Sequence, residues 1–317
     1  MRKLPVSVVM VVYNGGKTIE RALRSVADLV DEIIVSHNGP CSDDSVEIAR
    51  RYTDKVFVQS KHIPAPEPYR VFTYTKTSHD WMLQVDSDEY LSQEIRDHLG
   101  ELISDPAVHG YEFLWPTSYK GKYVGVYYKT ALVNKNFFYM IGSPSEYLKP
   151  INPQVTLKRL NYRLEHKPPY DNLTFQNFRK KWVPWARIQA EYYLREFASI
   201  PTYHYPHADW EFRTRVRIRH PILLGLFGTC LFNVALGVKD WVRTGQFLFL
   251  KSGMLMALQN AVLYTDVWKY QRRPWTLPVR GSKPGGVPVL RSEKESVGVA
   301  ARSSLFGEWS DGHGGRN

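Results

Sequence analysis

Cysteine is nearly missing from this sequence: Cys41 and Cys230 are the only two in 317 residues. Two thiols make neither a disulfide framework nor a four-cysteine zinc site, and a reducing compartment is the simplest reading. The ten histidines show no HxxxH or HxH spacing, so no histidine pair on one helix or strand reads as a metal site. No internal repeat is present, which sets aside solenoids and propellers. Gly15-Gly16-Lys17-Thr18 lacks the glycine that a phosphate-binding P-loop needs five positions before Gly16; Val11 stands there, and that class is excluded. The apolar run from Leu4 to Val12 ends in Tyr-Asn-Gly-Gly without a small-residue cleavage pattern, so it reads as a buried strand and not as a signal peptide.

Acidic residues are scarce in the second half. Residues 1–105 carry 12 Lys+Arg against 17 Asp+Glu, whereas 106–317 carry 30 against 14, for a net charge of +11. Such asymmetry points to an anionic partner on the C-terminal side: nucleic acid, an anionic membrane surface or a phosphorylated substrate. Aromatic residues make up 14% of the chain, many of them after residue 110 among basic ones. That mixture suits a membrane interface, or stacking on bases or sugars. With 43% hydrophobic and 23% charged residues, the chain has the composition of a folded protein able to bury a full core.

Residues 6–13, 32–36, 55–59 and 80–85 are short apolar runs of strand length. Between them, 17–29, 43–52 and 68–78 read as helices, with Ser42 as the expected N-cap of the second. Strands alternating with helices imply βαβ units and a parallel sheet, whose ligands bind at the carboxyl ends of the strands. Tyr13-Asn14, His37-Asn38 and Asp86-Ser87-Asp88 all fall there. Strand-like pieces follow at 110–115, 122–133 and 155–163, and then a helix over 174–198 that Pro184 should kink. Two apolar stretches, 221–238 and 247–262, come next, and 274–317 has the composition of a disordered tail.

Asp86-Ser87-Asp88-Glu89 is the most informative segment. Three carboxylates in four residues repel one another unless a cation is near. Oxygen ligands at the edge of a sheet suit Mg²⁺ or Mn²⁺, which bind one or two carboxylates together with substrate phosphates.

VSVVMVVYNGG, EIIVSHNGPCSDDS and DWMLQVDSDEYLS together resemble the N-terminal half of family 2 glycosyltransferases of GT-A fold, in which a DxD follows the fourth strand. Within that family the chain is similar to the branch that includes the lipopolysaccharide-core glucosyltransferases. Arg70 stands ten residues before Asp80-Trp81, with Val71 where the branch has Asn, and Ser145-Glu146 occupies the place of a His-Glu. His166 and the Lys/Trp-rich helix after it look like the same branch. The likeness covers roughly residues 5–270. It departs at His37-Asn38, where the family usually has two aspartates. Asn38 can still hydrogen-bond a uracil edge.

The resemblance implies an α/β GT-A fold with a C-terminal helical, membrane-associating extension. The expected divisions are 1–105 for nucleotide-sugar binding, 106–170 for the acceptor side, 171–273 for a helical region and 274–317 for the tail. Candidate donor-binding residues are Val12, Tyr13, Asn14, Asn38, Arg70, Asp86 and Ser87. Candidate metal ligands for Mn²⁺ or Mg²⁺ are Asp88 and Asp86. Glu146 is the candidate base, with Asp171 and Glu165 as weaker ones. The expected activity is metal-dependent, inverting sugar transfer from a nucleotide-diphosphate donor, with UDP favoured, to a lipid-linked glycan on the cytoplasmic face of a membrane. Arg213, Arg215, Arg217 and Arg219, directly before the uncharged run, suggest peripheral attachment to anionic lipid. Rival readings are a polyprenyl-phosphate sugar transferase, a catalytically dead nucleotide-sugar binder, and a nucleic-acid-binding protein. No nucleic-acid motif supports the last, and no nucleic acid is expected as a partner.

Overall fold

The computed structural model describes residues 2–119, 122–171, 173–195, 200–204, 214 and 218–272. The expected tail and Arg213, Arg215 and Arg217 lie outside the described residues.

Four parallel strands form the first half of the sheet: β1 (Leu4–Val12), β2 (Val30–His37), β3 (Val56–Val58) and β4 (Trp81–Gln84). The β-branched runs of β1 and β2 are buried on both faces, as parallel strands covered by helices must be, whereas β3 at the edge of the sheet is partly exposed. Beyond β4 the sheet continues through β7 (Lys122–Asn134), β6 (Gly110–Tyr119), β10 (Leu157–His166) and β5 (Glu89–Leu91). The full order is β3-β2-β1-β4-β7-β6-β10-β5, so 1–105 and 106–170 share one eight-stranded sheet. A small second sheet joins β8 (Phe138–Ile141) to β9 (Lys149–Pro150) and β11 (Thr202–Tyr203).

Helices α1 (Gly16–Arg24), α2 (Ser45–Arg50), α3 (Glu67–Tyr74) and α4 (Gln93–Ser104) flank the sheet. α1 stops sooner than its periodicity suggests. The Ser25 hydroxyl bonds back to the Ala22 carbonyl at 2.7 Å, and Val26 N–H turns onto Leu23 O, tightening the chain into a loop. Ser42 does not cap α2. Its N–H is held by Asn14 Oδ1 at 2.9 Å, and Asp43 instead takes Ser45 N–H on one oxygen and Gly16 N–H on the other. α4, β5 and the strands of the second sheet have no counterpart in the sequence reading. α4 does carry a legible signal, since Ser92 accepts from Ile95 N–H at its start and Ile95 and Leu99 are buried.

The helix expected over 174–198 is a π-wound segment, Phe178–Trp182, leading into α5 (Val183–Leu194). Pro184 stands in the first turn of α5, where its missing N–H costs nothing. A wider, π-wound turn directly precedes it. The apolar stretches form a helix over Pro221–Thr244, π-wound to Thr229 and continuing as α6 (Cys230–Thr244), and a second helix, α7 (Phe247–Arg272). Gly245, left-handed at φ 70°, joins them.

Glu32 pins the outer strands together. It lies in β2, and its carboxylate accepts from Ser7 Oγ of β1, from Lys55 Nζ, and from Ser78 N–H and Oγ, both at 2.9 Å. Burial works against the charge, but these donors outweigh it and lower the group to about 2 from 4.5. A carboxyl depressed on folding contributes stability that is full above its unfolded value and lost as pH falls toward 2. Glu32→Gln should therefore cost roughly 2–3 kcal/mol at neutral pH, the scale of hydrogen bonds to a charged group. Denaturant melts at pH 7 and pH 3 should show that deficit shrinking on acidification; a constant deficit would contradict the assignment.

Candidate active site

Three strand ends converge. At the end of β1, Asn14 takes a left-handed φ of 46° and exposes Tyr13, whose ring stacks on His62 with centroids 3.8 Å apart. At the end of β2, the buried His37 bridges two turns: its Nε2 accepts from Asn14 N–H at 3.2 Å and its Nδ1 meets Gly39 O at 2.7 Å. The imidazole thus fastens turn to turn where the family usually has aspartate. Asn38 is likewise engaged. Its amide donates to Ile63 O at 2.8 Å and accepts from Ile63 N–H at 2.9 Å, with 4% of the residue exposed. It holds the 59–65 segment in place instead of presenting a free edge. Gly39 makes that closeness possible: φ is +102°, and a Cβ there would sit 2.6 Å from His62 N. Val12 offers its carbonyl to Asn38 N–H at 2.7 Å, and Ser87 lies against Gly15.

At the end of β4, Asp86 meets two cations. Arg70 Nη2 donates to Oδ1 at 2.8 Å and Oδ2 at 3.1 Å, and Lys129 Nζ donates to Oδ2 at 3.0 Å. Lys129 also reaches both oxygens of Glu89 at 2.7 Å, and Glu89 accepts from Asp86 N–H and from Trp115 Nε1. Burial opposes ionisation of Asp86, yet Arg70 and Lys129 prevail and hold it far below the usual carboxylate range. Burial raises Glu89, and the neighbouring Asp86 adds to the effect against Lys129. Lys129 was not singled out from sequence. Its signal is a lone cation within the apolar half of β7.

Asp88 faces His166. The Nε2–Oδ2 distance is 3.6 Å, the ring stacks on Trp115, and Nδ1 is buried without a partner. The antiparallel register of β10 with β5, His166 opposite Glu89, brings them together. Asp88 and His166 therefore offer one oxygen and one nitrogen ligand side by side. Asp86, expected to share a metal, already meets Arg70 and Lys129 with its oxygens. His37, Cys41 and Asp43 also place potential ligand atoms within 4.8 Å of one another. Both His37 nitrogens and both Asp43 oxygens already have hydrogen-bond partners, so that cluster reads as a lock between turns.

Glu146 is 5% exposed, in a loop between β8 and β9, and pairs with Lys149 Nζ at 2.8 Å. The neighbouring Ser145, left-handed at φ 67°, donates its N–H to Glu67 Oε1 at 3.2 Å. Glu67 and Arg70 are one turn apart on α3, so this helix touches both the Glu146 loop and Asp86. Of the weaker candidates, Glu165 lies on β10 beside Arg163, and Asp171 accepts from Thr174 through its backbone carbonyl.

Glu67 was also missed from sequence. Burial pushes its carboxyl up to about 7 from 4.5, against the pull of Arg70. A group with a raised folded value binds more protons when folded, so stability falls as pH rises from about 4.5 through 7. Glu67→Gln removes that slope. At 1.36 kcal/mol per unit, the variant should gain about 3 kcal/mol relative to wild type between pH 4.5 and pH 8. Thermal melts across that range test this; parallel curves for both proteins would show that Glu67 titrates elsewhere.

The glycosyl transferase family 2 pattern matches residues 7–160. An uncharacterized glycosyltransferase of Rickettsia typhi is 35% identical over 94 residues, covering 30% of this chain and 31% of that protein. One from Rickettsia felis is 28% identical over 131 residues, 41% of each. The chain thus spans well under half the length of these relatives. Among solved structures, TarS of S. aureus (residues 1–349, in complex with UDP) aligns with a TM-score of 0.37 and 16% identity over 84% of this chain and 91% of that one. Glucosyl-3-phosphoglycerate synthase of Mycobacterium tuberculosis, in complex with Mn²⁺, UDP and glucosyl-3-phosphoglycerate, aligns with a TM-score of 0.28 and 22% identity over 35% and 43%. The parallel β1–β4 sheet and the acidic segment after β4 both lie within residues 7–160, the stretch that matches the glycosyl transferase family 2 pattern.

Proposed function

We propose that this chain is a metal-dependent, inverting glycosyltransferase that moves a sugar from a nucleotide-diphosphate donor, UDP-linked by preference, to a lipid-linked glycan. The observation that carries the reading is the Asp86–Asp88 segment at the sheet edge, with Arg70 and Lys129 on its first carboxylate and His166 beside its second. Tyr13, stacked on His62, offers a ring face at the base end of a nucleotide. The turns pinned by Asn14, His37 and Asn38 set the shape of that pocket. Arg70 and Lys129 keep Asp86 ionised and fixed, so it can orient a polar donor group without reorganising. Asp88 and His166 suit Mn²⁺ or Mg²⁺, whose ligand set the donor's phosphates would complete. A bound ion there would neutralise charge developing on the diphosphate.

On the acceptor side, Glu146 would take the proton of the attacking hydroxyl. Its loop is tied through Glu67 to the helix that carries Arg70, which keeps the two halves of the site in register. A lipid-borne acceptor, such as a lipopolysaccharide core or related cell-surface glycan, fits the two apolar helices at the C-terminal end. A polyprenyl-phosphate acceptor needs no such base and is the alternative that Glu146 separates.

Thermal-shift screening of nucleotide sugars with and without Mn²⁺ should show metal-dependent stabilisation by one donor. Asp88→Ala should lower turnover about 10²-fold or more, the scale of losing a major electrostatic stabiliser. Undiminished turnover in excess EDTA would rule out the metal. Glu146→Gln should lower turnover by about 10²–10⁴-fold with donor affinity unchanged. Full activity in that variant favours a phosphate acceptor, and a collapse of donor affinity moves Glu146 to the donor side.

A further inference from the structure

Among the described residues, twelve of the eighteen exposed large apolar side chains lie between Leu223 and Leu258. A core helix buries such side chains. Here only 18% of the apolar window in Pro221–Thr244 is buried, and α6 buries Gly237 alone. The cause is the seam between the two helices. A Cβ on Gly253 would lie 2.5 Å from the Asn233 carbonyl and 2.9 Å from Gly237 Cα. Backbone meets backbone there, so the large side chains of α6 are left to face outward.

The inner helix is backed by the rest of the protein on one side, while Phe247, Met254, Met256 and Leu258 are exposed on it. Leu248 and Leu255 pack with Leu173 and Phe178, while Leu263, Tyr264 and Val267 pack with the α5 side. From Leu248 to Val267 is roughly 28 Å at 1.5 Å per residue, close to the thickness of bilayer hydrocarbon. A spanning hairpin would drag the 178–194 helix into lipid, with its exposed Arg179, Lys180 and Lys181.

We infer that the helix Pro221–Thr244 lies in the plane of an anionic lipid interface, immersed along its outer face, with the glycosyl transferase domain on the aqueous side. The face is uncharged from Pro221 to Val238. Exposed cations bound it at both ends, Arg219 before it and Lys239 and Arg243 in its last turns, with Trp241 between them. Apolar middle, aromatic border and cationic ends are the pattern of an interfacial helix. The same charges disfavour a second copy on this face: in either orientation of a symmetric pair, cations would meet cations. The inference deepens the lipid-linked acceptor reading, and it is read out without nucleotide or sugar so that either can fail alone.

The test uses the full chain with vesicles of phosphatidylcholine, with and without phosphatidylglycerol. Wild type should co-float with the anionic vesicles. The variant Phe227→Gln, Leu231→Gln, Phe232→Gln should bind about fivefold less while melting at the same temperature, because these side chains are exposed in the free protein. Depth is read with an environment-sensitive dye on Leu231→Cys or Thr244→Cys, each in a Cys41→Ser, Cys230→Ser background. The dye at 231 should report an apolar surrounding, and the dye at 244 should be quenched by dithionite added outside. Protection at 244 would mean that the hairpin spans, overturning the in-plane geometry. Absence of vesicle binding, or equal binding by the triple variant, would overturn the lipid assignment. A dimer formed without vesicles and abolished by the triple variant would assign the face to a second copy instead.

Discussion

Two cations share one carboxylate at the centre of this molecule, and much of the site is arranged around that fact. Asp86 stands at the end of β4, Arg70 comes from α3 and Lys129 from β7. Each charge would be costly in this enclosed position alone. Together they form a chain that continues through Lys129 into the fully buried Glu89. Lys129 links the two carboxylates, so removing it would leave the buried Glu89 without its cation, and the four residues behave as one unit. The unit also joins the parallel half of the sheet to the antiparallel half, because β4 and β7 are neighbours.

The same constraint explains the division of labour in the acidic segment. Asp86 is bound to protein cations and stays fixed, whereas Asp88 looks toward His166. Two carboxylates two residues apart therefore meet opposite surroundings, one rich in protein donors and one suited to an external cation. Pinned turns complete the arrangement. His37, Asn38 and Asn14 spend their side chains on backbone groups of neighbouring loops, which fixes the turns relative to one another.

Much of this was legible in the sequence. β1 and β2 show themselves as continuous β-branched runs because both faces are buried, and the acidic segment stands out after the short apolar run of β4. Arg70 stood out only through the resemblance to a glycosyltransferase branch that has an arginine ten residues before an Asp-Trp. Lys129 did not, because a lone cation in an apolar run carries no local pattern and its partners stand 40 and 43 residues away; Glu67 did not, because its burial beside the Ser145 loop, 78 residues on, leaves no mark in the sequence around Arg70. The pairing of β5 with β10 is equally silent, since three residues of strand have no periodicity to read. Asn38 was readable as a polar residue at a strand end, but the direction of its amide depends on a loop 25 residues on. The apolar helices were visible as runs; their exposure was not, because it follows from a glycine contact between them.

α3 acts as a measure of length. Glu67 and Arg70 stand three residues apart, so the Glu146 loop and Asp86 are spaced by a single helical turn, roughly 4.5 Å of rise. Side-chain changes at either end leave that interval untouched. An inserted or deleted residue between them would rotate one end by about 100° relative to the other. In a protein of this design, side chains at the two ends of α3 can change independently by substitution, while the register between them stays a fixed quantity.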